Sequence, residues 1–245
     1  MSFERFLLAA LLLAGCTVKE DRSGCGCRLQ MTVYCPEGQP VRVCLQDGRE
    51  WDVQRDTVLE AFVFVPSLAV VAVSGAVPGA DGSIRVAEGS AAPPLYLFSA
   101  TVETAGEAAA VEVRPRKAYC LLRLRFTAPP GYGPPFGLRL CGEVAGCTLE
   151  GGPLPGPFSV ETAPDAAGLA AVRLPRQRDA SLTLQLLYRD AVLRSFALGE
   201  YILAAGYDWA AIPLDDLEVE IDISLTRLTF RVGEWSRTEQ INVLV

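Results

Sequence analysis

The chain has 245 residues, half of them hydrophobic, a formal charge of −7 and no histidine. Its size and apolar content suit one or two globular domains, and its 22 glycines and 17 prolines follow no period, which excludes a collagen-like or low-complexity polymer. An acidic surface without a Lys/Arg block repels phosphate backbones, so no nucleic-acid partner is expected, and the missing histidine removes Ser-His-Asp, Cys-His and His-metal catalysis.

Residues 6–13 form an apolar run of eight, preceded by Arg5. A bilayer core needs about 20 apolar residues, so this run predicts a secretory signal rather than a membrane span. Leu13-Ala14-Gly15-Cys16 then follows the lipobox pattern, in which small residues admit the signal peptidase and the cysteine thiol carries a diacylglycerol. The expectation is a signal peptide over 1–15, a lipidated tether over 16–27 and no cofactor besides the covalent lipid at Cys16. The competing reading is a chance cysteine in an ordinary signal peptide. Lys19-Glu20-Asp21 resembles the acid-rich signals that send Bacteroidetes lipoproteins to the outer face of the outer membrane, although a plain charged tether looks the same.

Beyond the tether, no amphipathic helix stands out. Short alternating segments with Gly/Pro punctuation predict an all-β sandwich architecture. Leu29, Met31 and Val33 alternate with polar neighbours, residues 36–40 turn the chain, and residues 41–45 return as a strand. Residues 58–65 are nearly continuous apolar, which predicts a strand buried on both faces. Strands follow at 96–102 and 109–113. Pro115, amid Arg114, Arg116 and Lys117, marks an exposed connection, because proline cannot donate to a central ladder. The domains are therefore placed at 28–115 and 116–245. In the second, strands are predicted at 119–126, 136–141, 168–174, 181–188, 192–198, 207–212, 217–223, 225–232 and 240–245. The stretches APPGYGPPFG and EGGPLPGPF read as loops, a proline-motif ligand being the lesser reading of the first.

Seven cysteines remain besides Cys16: Cys25, Cys27, Cys35, Cys44, Cys120, Cys141 and Cys147. In an exported protein they are disulfide candidates or buried thiols, and the odd number leaves one thiol unpaired or bonded to another molecule. A hairpin of 119–126 with 136–141 would set Cys120 opposite Cys141, while Cys141 and Cys147 could instead close a short loop. Cys25, Cys27, Cys35 and Cys44 are poorly spaced for zinc. Asp215, Asp216, Glu218, Glu220 and Asp222 could suggest calcium, but alternation with Val219, Ile221 and Ile223 reads better as a solvated strand face. Trp51, Trp209 and Trp235 are sugar platforms on one reading and core plugs on the other. No metal, catalytic residue or small-molecule substrate is assigned.

The segment CTVKEDRSGCGCRLQMTV, residues 16–33, resembles the opening of fimbrial anchor (FimB-like) lipoproteins of Bacteroidetes, where a lipobox cysteine is soon followed by a Cys-x-Cys pair entering the first strand. The carry-over is Cys16 for the lipid and Cys25 with Cys27 for the pair. The stretch GYDWAAIPLDDLEVEIDISLTRLTFRVGEWS, residues 206–236, is similar to the end of fimbrillin-type domains. The resemblance implies two transthyretin-like β-sandwiches, no enzymatic activity, and a lipid-fixed outer-membrane position at the base of a surface fibre whose subunits join by strand addition. The implied partners are fimbrial stalk subunits. Stalk subunits of that family lose their first strand to cleavage after arginine, whereas the anchor keeps it. Arg22 and Arg28 lie near the first strand here, which leaves both roles open. The final segment EQINVLV has Ile241, Val243 and Val245 on one face. It either closes an edge of its own sandwich or fills a neighbour's groove, and the resemblance favours donation. The rival expectation is a surface glycan-binding lipoprotein with coplanar exposed aromatics. A carboxylate-based hydrolase would need two acids in one cleft.

Overall fold

The alternation at Leu29, Met31 and Val33 does build a strand, β1 (Cys27–Val33), whose inward residues Cys27, Leu29, Met31 and Val33 are fully buried. The computed structural model describes residues 26–127, 137–189, 191–223, 227–232 and 234–240. β1 lies in the middle of a three-stranded sheet, antiparallel to β4 (Thr57–Val63) and parallel to β8 (Ala108–Val113). Facing it is a five-stranded sheet in the order β3 (Glu50–Val53), β2 (Val41–Leu45), β5 (Ser67–Ser74), β7 (Tyr96–Glu103), β9 (Arg116–Lys117). Leu68, Val70 and Ala72 of β5 meet Leu29 and Met31 in one buried core.

The second sandwich packs the sheet β13 (Leu169–Pro175), β10 (Tyr119–Thr127), β16 (Leu217–Ile223), β17 (Arg227–Val232), β18 (Trp235–Gln240) on the sheet β12 (Pro153–Thr162), β11 (Gly137–Thr148), β14 (Thr183–Tyr188), β15 (Ala191–Phe196). Leu122, Leu124, Leu138, Leu140, Leu184 and Phe230 fill its core. Each such side chain, taken from water, contributes about 1.5–3 kcal/mol.

Several elements differ from the sequence expectation. The run at 58–65 is not buried on both faces: Ala61 and Val63 point inward, whereas Val58, Phe62, Phe64 and Val65 are exposed. The segment EGGPLPGPF is largely strand: Pro153 and Pro155 sit in β12, an edge strand where a missing N–H leaves no central ladder unmade. Residues 207–212 form no strand. They follow a short helix, α1 (Leu198–Ala204), and Asp208 Oδ1 accepts from the backbone N–H of Ala210 to turn the chain. β10 and β11 do not form a hairpin; they lie in opposite sheets. The proline-rich segment at 128–136 lies outside the described residues.

Candidate functional site

The strand directions give the molecule two poles. β4 ends at Val63 and β5 begins at Ser67, so Cys27, which pairs with Val63, lies at the same end as Ser67 and Glu103. The opposite end of that sandwich, at Val73, Leu95 and Leu97, meets the second sandwich through Ile84, Ala118 and Cys147. The chain therefore enters the first sandwich at its pole remote from the second. The ring of Phe64 lies against Gly26 there; a Cβ on that glycine would fall 2.8 Å from the ring.

In the second sandwich β10 leaves the junction at Tyr119 and runs to Thr127. β16 runs parallel to it, β17 returns, and β18 runs outward again, so Gln240 lies beside Ile223 and Thr127 at the far pole. There β14 and β15 expose Tyr188, Val192 and Leu193. Among the described residues β18 is an edge strand, bonded only to β17 in its sheet. The two ends of the described chain thus lie at opposite poles. Cys16, Lys19, Glu20, Asp21 and Cys25 at one end, and Ile241, Val243 and Val245 at the other, lie outside the described residues.

The junction between the sandwiches is built from short connections. β6 (Ser83–Arg85) leaves the first half and pairs antiparallel with the end of β11, placing Ile84 opposite Cys147. Gly146 permits that approach, because a Cβ there would meet the Ile84 carbonyl oxygen at 2.0 Å. Beyond Arg114, which stacks over Tyr34 with its Cζ 3.5 Å from the ring centre, β9 pairs with β7, and Lys117 forms an ion pair with Asp216. Burial acts to raise the Asp216 pKa, but the Lys117 ammonium, the Leu121 N–H and the Arg123 charge outweigh it and hold the carboxyl below its usual value. Arg176, buried and without a carboxylate partner in the described structure, donates to the carbonyls of Trp209 at 2.6 Å and Ala211 at 3.1 Å. It fixes the loop that the alternation had suggested was a strand. An open hollow of about 420 Å³ beside it is lined by Arg176, Arg178, Tyr207, Asp208 and Trp209 among others, with Asp208 its one carboxylate. The paired acids of a glycosidase are not assembled there. The sequence marked the connection at residues 114–117, but no patterning signalled the β6–β11 pairing or the Arg176 contacts.

Cys27, Cys35, Cys44, Cys120, Cys141 and Cys147 are free thiols. Cys120 faces the core of its sheet whereas Cys141 lies beside Ser159 in the opposing one, so the expected hairpin pairing is lost with the hairpin. Cys141 and Cys147 are six residues apart on one strand, roughly 20 Å, far beyond disulfide reach. Burial pushes the thiols of Cys120 and Cys147 up to about 11, and it raises Cys44 with help from Glu50, so none of the three is an activated nucleophile. Among the described residues no three Cys, Asp or Glu side chains gather as metal ligands. Glu218 pairs with Arg125 at 3.2 Å and Glu220 with Arg231 at 3.4 Å, a solvated face as the alternation suggested. Trp209 is buried, Trp51 packs on the first core, and Trp235 stacks on Tyr201 at 5.3 Å beside the second, so the three share no platform.

No family model and no curated protein sequence matches the chain. Solved structures do match its fold. A Bacteroides thetaiotaomicron protein assigned as polysaccharide-binding superposes with a TM-score of 0.62 at 11% identity, over 89% of this chain and 99% of that one. A Bacteroides ovatus protein assigned as an adhesin gives 0.62 at 10%, over 90% and 96%. The fimbrial anchor protein Mfa2 from Porphyromonas gingivalis gives 0.59 at 11%, over 86% and 99%. The chain has the all-β fold of these Bacteroidetes fimbrial and adhesin proteins. Among the described residues no helix is long and apolar enough to cross a membrane.

Proposed function

We propose that this chain is a non-catalytic, lipid-anchored surface subunit that holds a fimbria at the outer membrane, fixed at one pole through Cys16 and joined at the other to stalk subunits by strand addition. The observation that carries the reading is the polarity of the fold. The described chain begins at one pole, at Gly26 and Cys27, and β18 ends at the other, at Gln240. β1 supports the anchor role over the stalk role. It occupies the centre of its sheet with its core side buried, so while β1 stays in place that position is filled, which favours a donated strand as the contribution to the fibre. The Arg28 backbone N–H donates to Glu107 O within this sheet, and its place in the ladder counts against cleavage after Arg28. The likeness to the P. gingivalis fimbrial anchor over 99% of that chain agrees with this role. In this reading Ile241, Val243 and Val245 enter pockets of the neighbouring subunit, and Lys19, Glu20 and Asp21 route the protein to the exterior. Against the glycan-binding alternative, Trp51 and Trp209 pack in different sandwiches and form no shared platform.

Removing residues 241–245 while keeping all of β18 tests the reading. The truncated protein is expected to remain folded and acylated while fibres are shed into the medium. Normal retention of fibres would refute strand donation, and loss of the cooperative thermal transition would place the segment in its own core.

A further inference from the structure

Phe62 and Phe64 are 62% and 71% exposed, while the other described phenylalanines are buried or half-buried. Phe62 projects from the outer face of β4, and Phe64 follows directly after the strand's end, next to exposed Val65. A cluster of this kind is expensive to leave in water and marks a contact surface. Its location identifies the contact. Phe64 packs against Gly26, the first residue of the described chain, and only ten residues separate Gly26 from Cys16, a span of at most roughly 35 Å. Ion pairing of Arg28 with Glu60 at 2.7 Å neutralises the charges nearest the two rings.

We infer that the Phe62–Phe64–Val65 edge of the first sandwich is a membrane-interface contact that seats this pole on the lipid bilayer carrying the anchor. The inference rests on the lipid-anchor reading of Cys16. Two rings and a valine would hold a free protein to a bilayer only weakly, but the acyl chains keep the pole within tether length, and at that effective concentration a weak apolar contact is occupied. Aromatic rings suit the headgroup boundary, where one face is apolar and the other wet. The consequence is orientation: the rings and the covalent lipid together stand the tandem sandwiches away from the membrane, presenting the far pole outward, which a tether alone does not do. It also accounts for a continuous apolar run in a strand whose outer face the fold leaves uncovered.

The test uses the acylated full-length protein reconstituted into phosphatidylethanolamine/phosphatidylglycerol vesicles, with and without brominated acyl chains. In Phe64→Trp the added emission should be mostly lost in brominated vesicles. In Val77→Trp, at a residue 78% exposed near the other end of the same sandwich, it should be unchanged. Hydrogen exchange of the wild type guards against a misfolded variant: vesicles should slow exchange in 60–66 and leave 188–193 unaffected. Vesicles that float with the protein but neither quench at position 64 nor slow exchange at 60–66 would overturn the contact while leaving the anchor intact. Slowing that appears without vesicles as protein concentration rises would assign the edge to a second copy and overturn it equally. Wild-type protein that fails to float would remove the anchor reading, and this inference with it.

Discussion

The first and last described strands occupy opposite situations. β1 is flanked on both sides, by β4 and β8, and its four inward residues are sealed in a core shared with β5. Among the described strands β18 has one neighbour, and its Ser236, Arg237 and Thr238 are exposed. Trp235, stacked on Tyr201, holds its start to the second core. A strand bonded on both edges and buried on one face cannot leave without unfolding its sheet. An edge strand, paired to β17 along its length but to no second described strand, can be lost with less disruption of its sandwich. The proposed retention of the first strand and donation of the last rest on this difference in ladder position.

Substitutions should separate the two. Leu29→Ala, in the middle of β1, leaves a cavity bounded by Val70 and Met31 and is expected to cost about 2–5 kcal/mol in urea unfolding. A cost near zero would mean that β1 is peripheral after all. Trp235→Ala loses a half-exposed stack and should cost only about 1 kcal/mol, with the transition remaining cooperative. If it proved as damaging as Leu29→Ala, the contrast between the strands would collapse. The smallest effect belongs to the junction that neither strand touches. The Asp216 carboxyl is held below its unfolded value near 3.9 chiefly by Lys117, once the opposing effect of burial is overcome. Its stabilisation is therefore fully present above about pH 4 and is lost as pH falls through the lower folded value. Asp216→Asn should cost under about 1 kcal/mol at pH 7, and the gap from wild type should close on acidification. A gap that widened in acid would reverse the sign assigned to this group.

How far the sequence revealed this depended on whether a signal was local. The alternation of Leu29, Met31 and Val33, and the return strand Val41–Leu45, reported a buried face directly, and the structure has them as read. The run at 58–65 misled, because an apolar outer face reads the same as burial on both sides; only the three-stranded sheet leaves Phe62 and Phe64 uncovered. Prolines in β12 looked like loop because edge position is a tertiary property. The apparent strand at 207–212 is a loop held by Arg176, a contact across 33 residues that no periodicity encodes. Cys120 and Cys141 looked cross-strand only on the assumption that sequential strands pair, whereas here the chain crosses between sheets. α1 is too short, at seven residues, to show a helical period. Of the candidate site, the end motifs were legible in the sequence, but that β1 starts and β18 ends at opposite poles was not.

The most direct measurement is photo-crosslinking on intact fibres with a reactive residue placed either at Val243 or at Gln30, the latter on the outer face of β1. The account predicts that Val243 crosslinks to a stalk subunit and that Gln30 does not. Crosslinks from Gln30 to the stalk, with none from Val243, would show that the first strand is the one engaged in the fibre and would contradict the account.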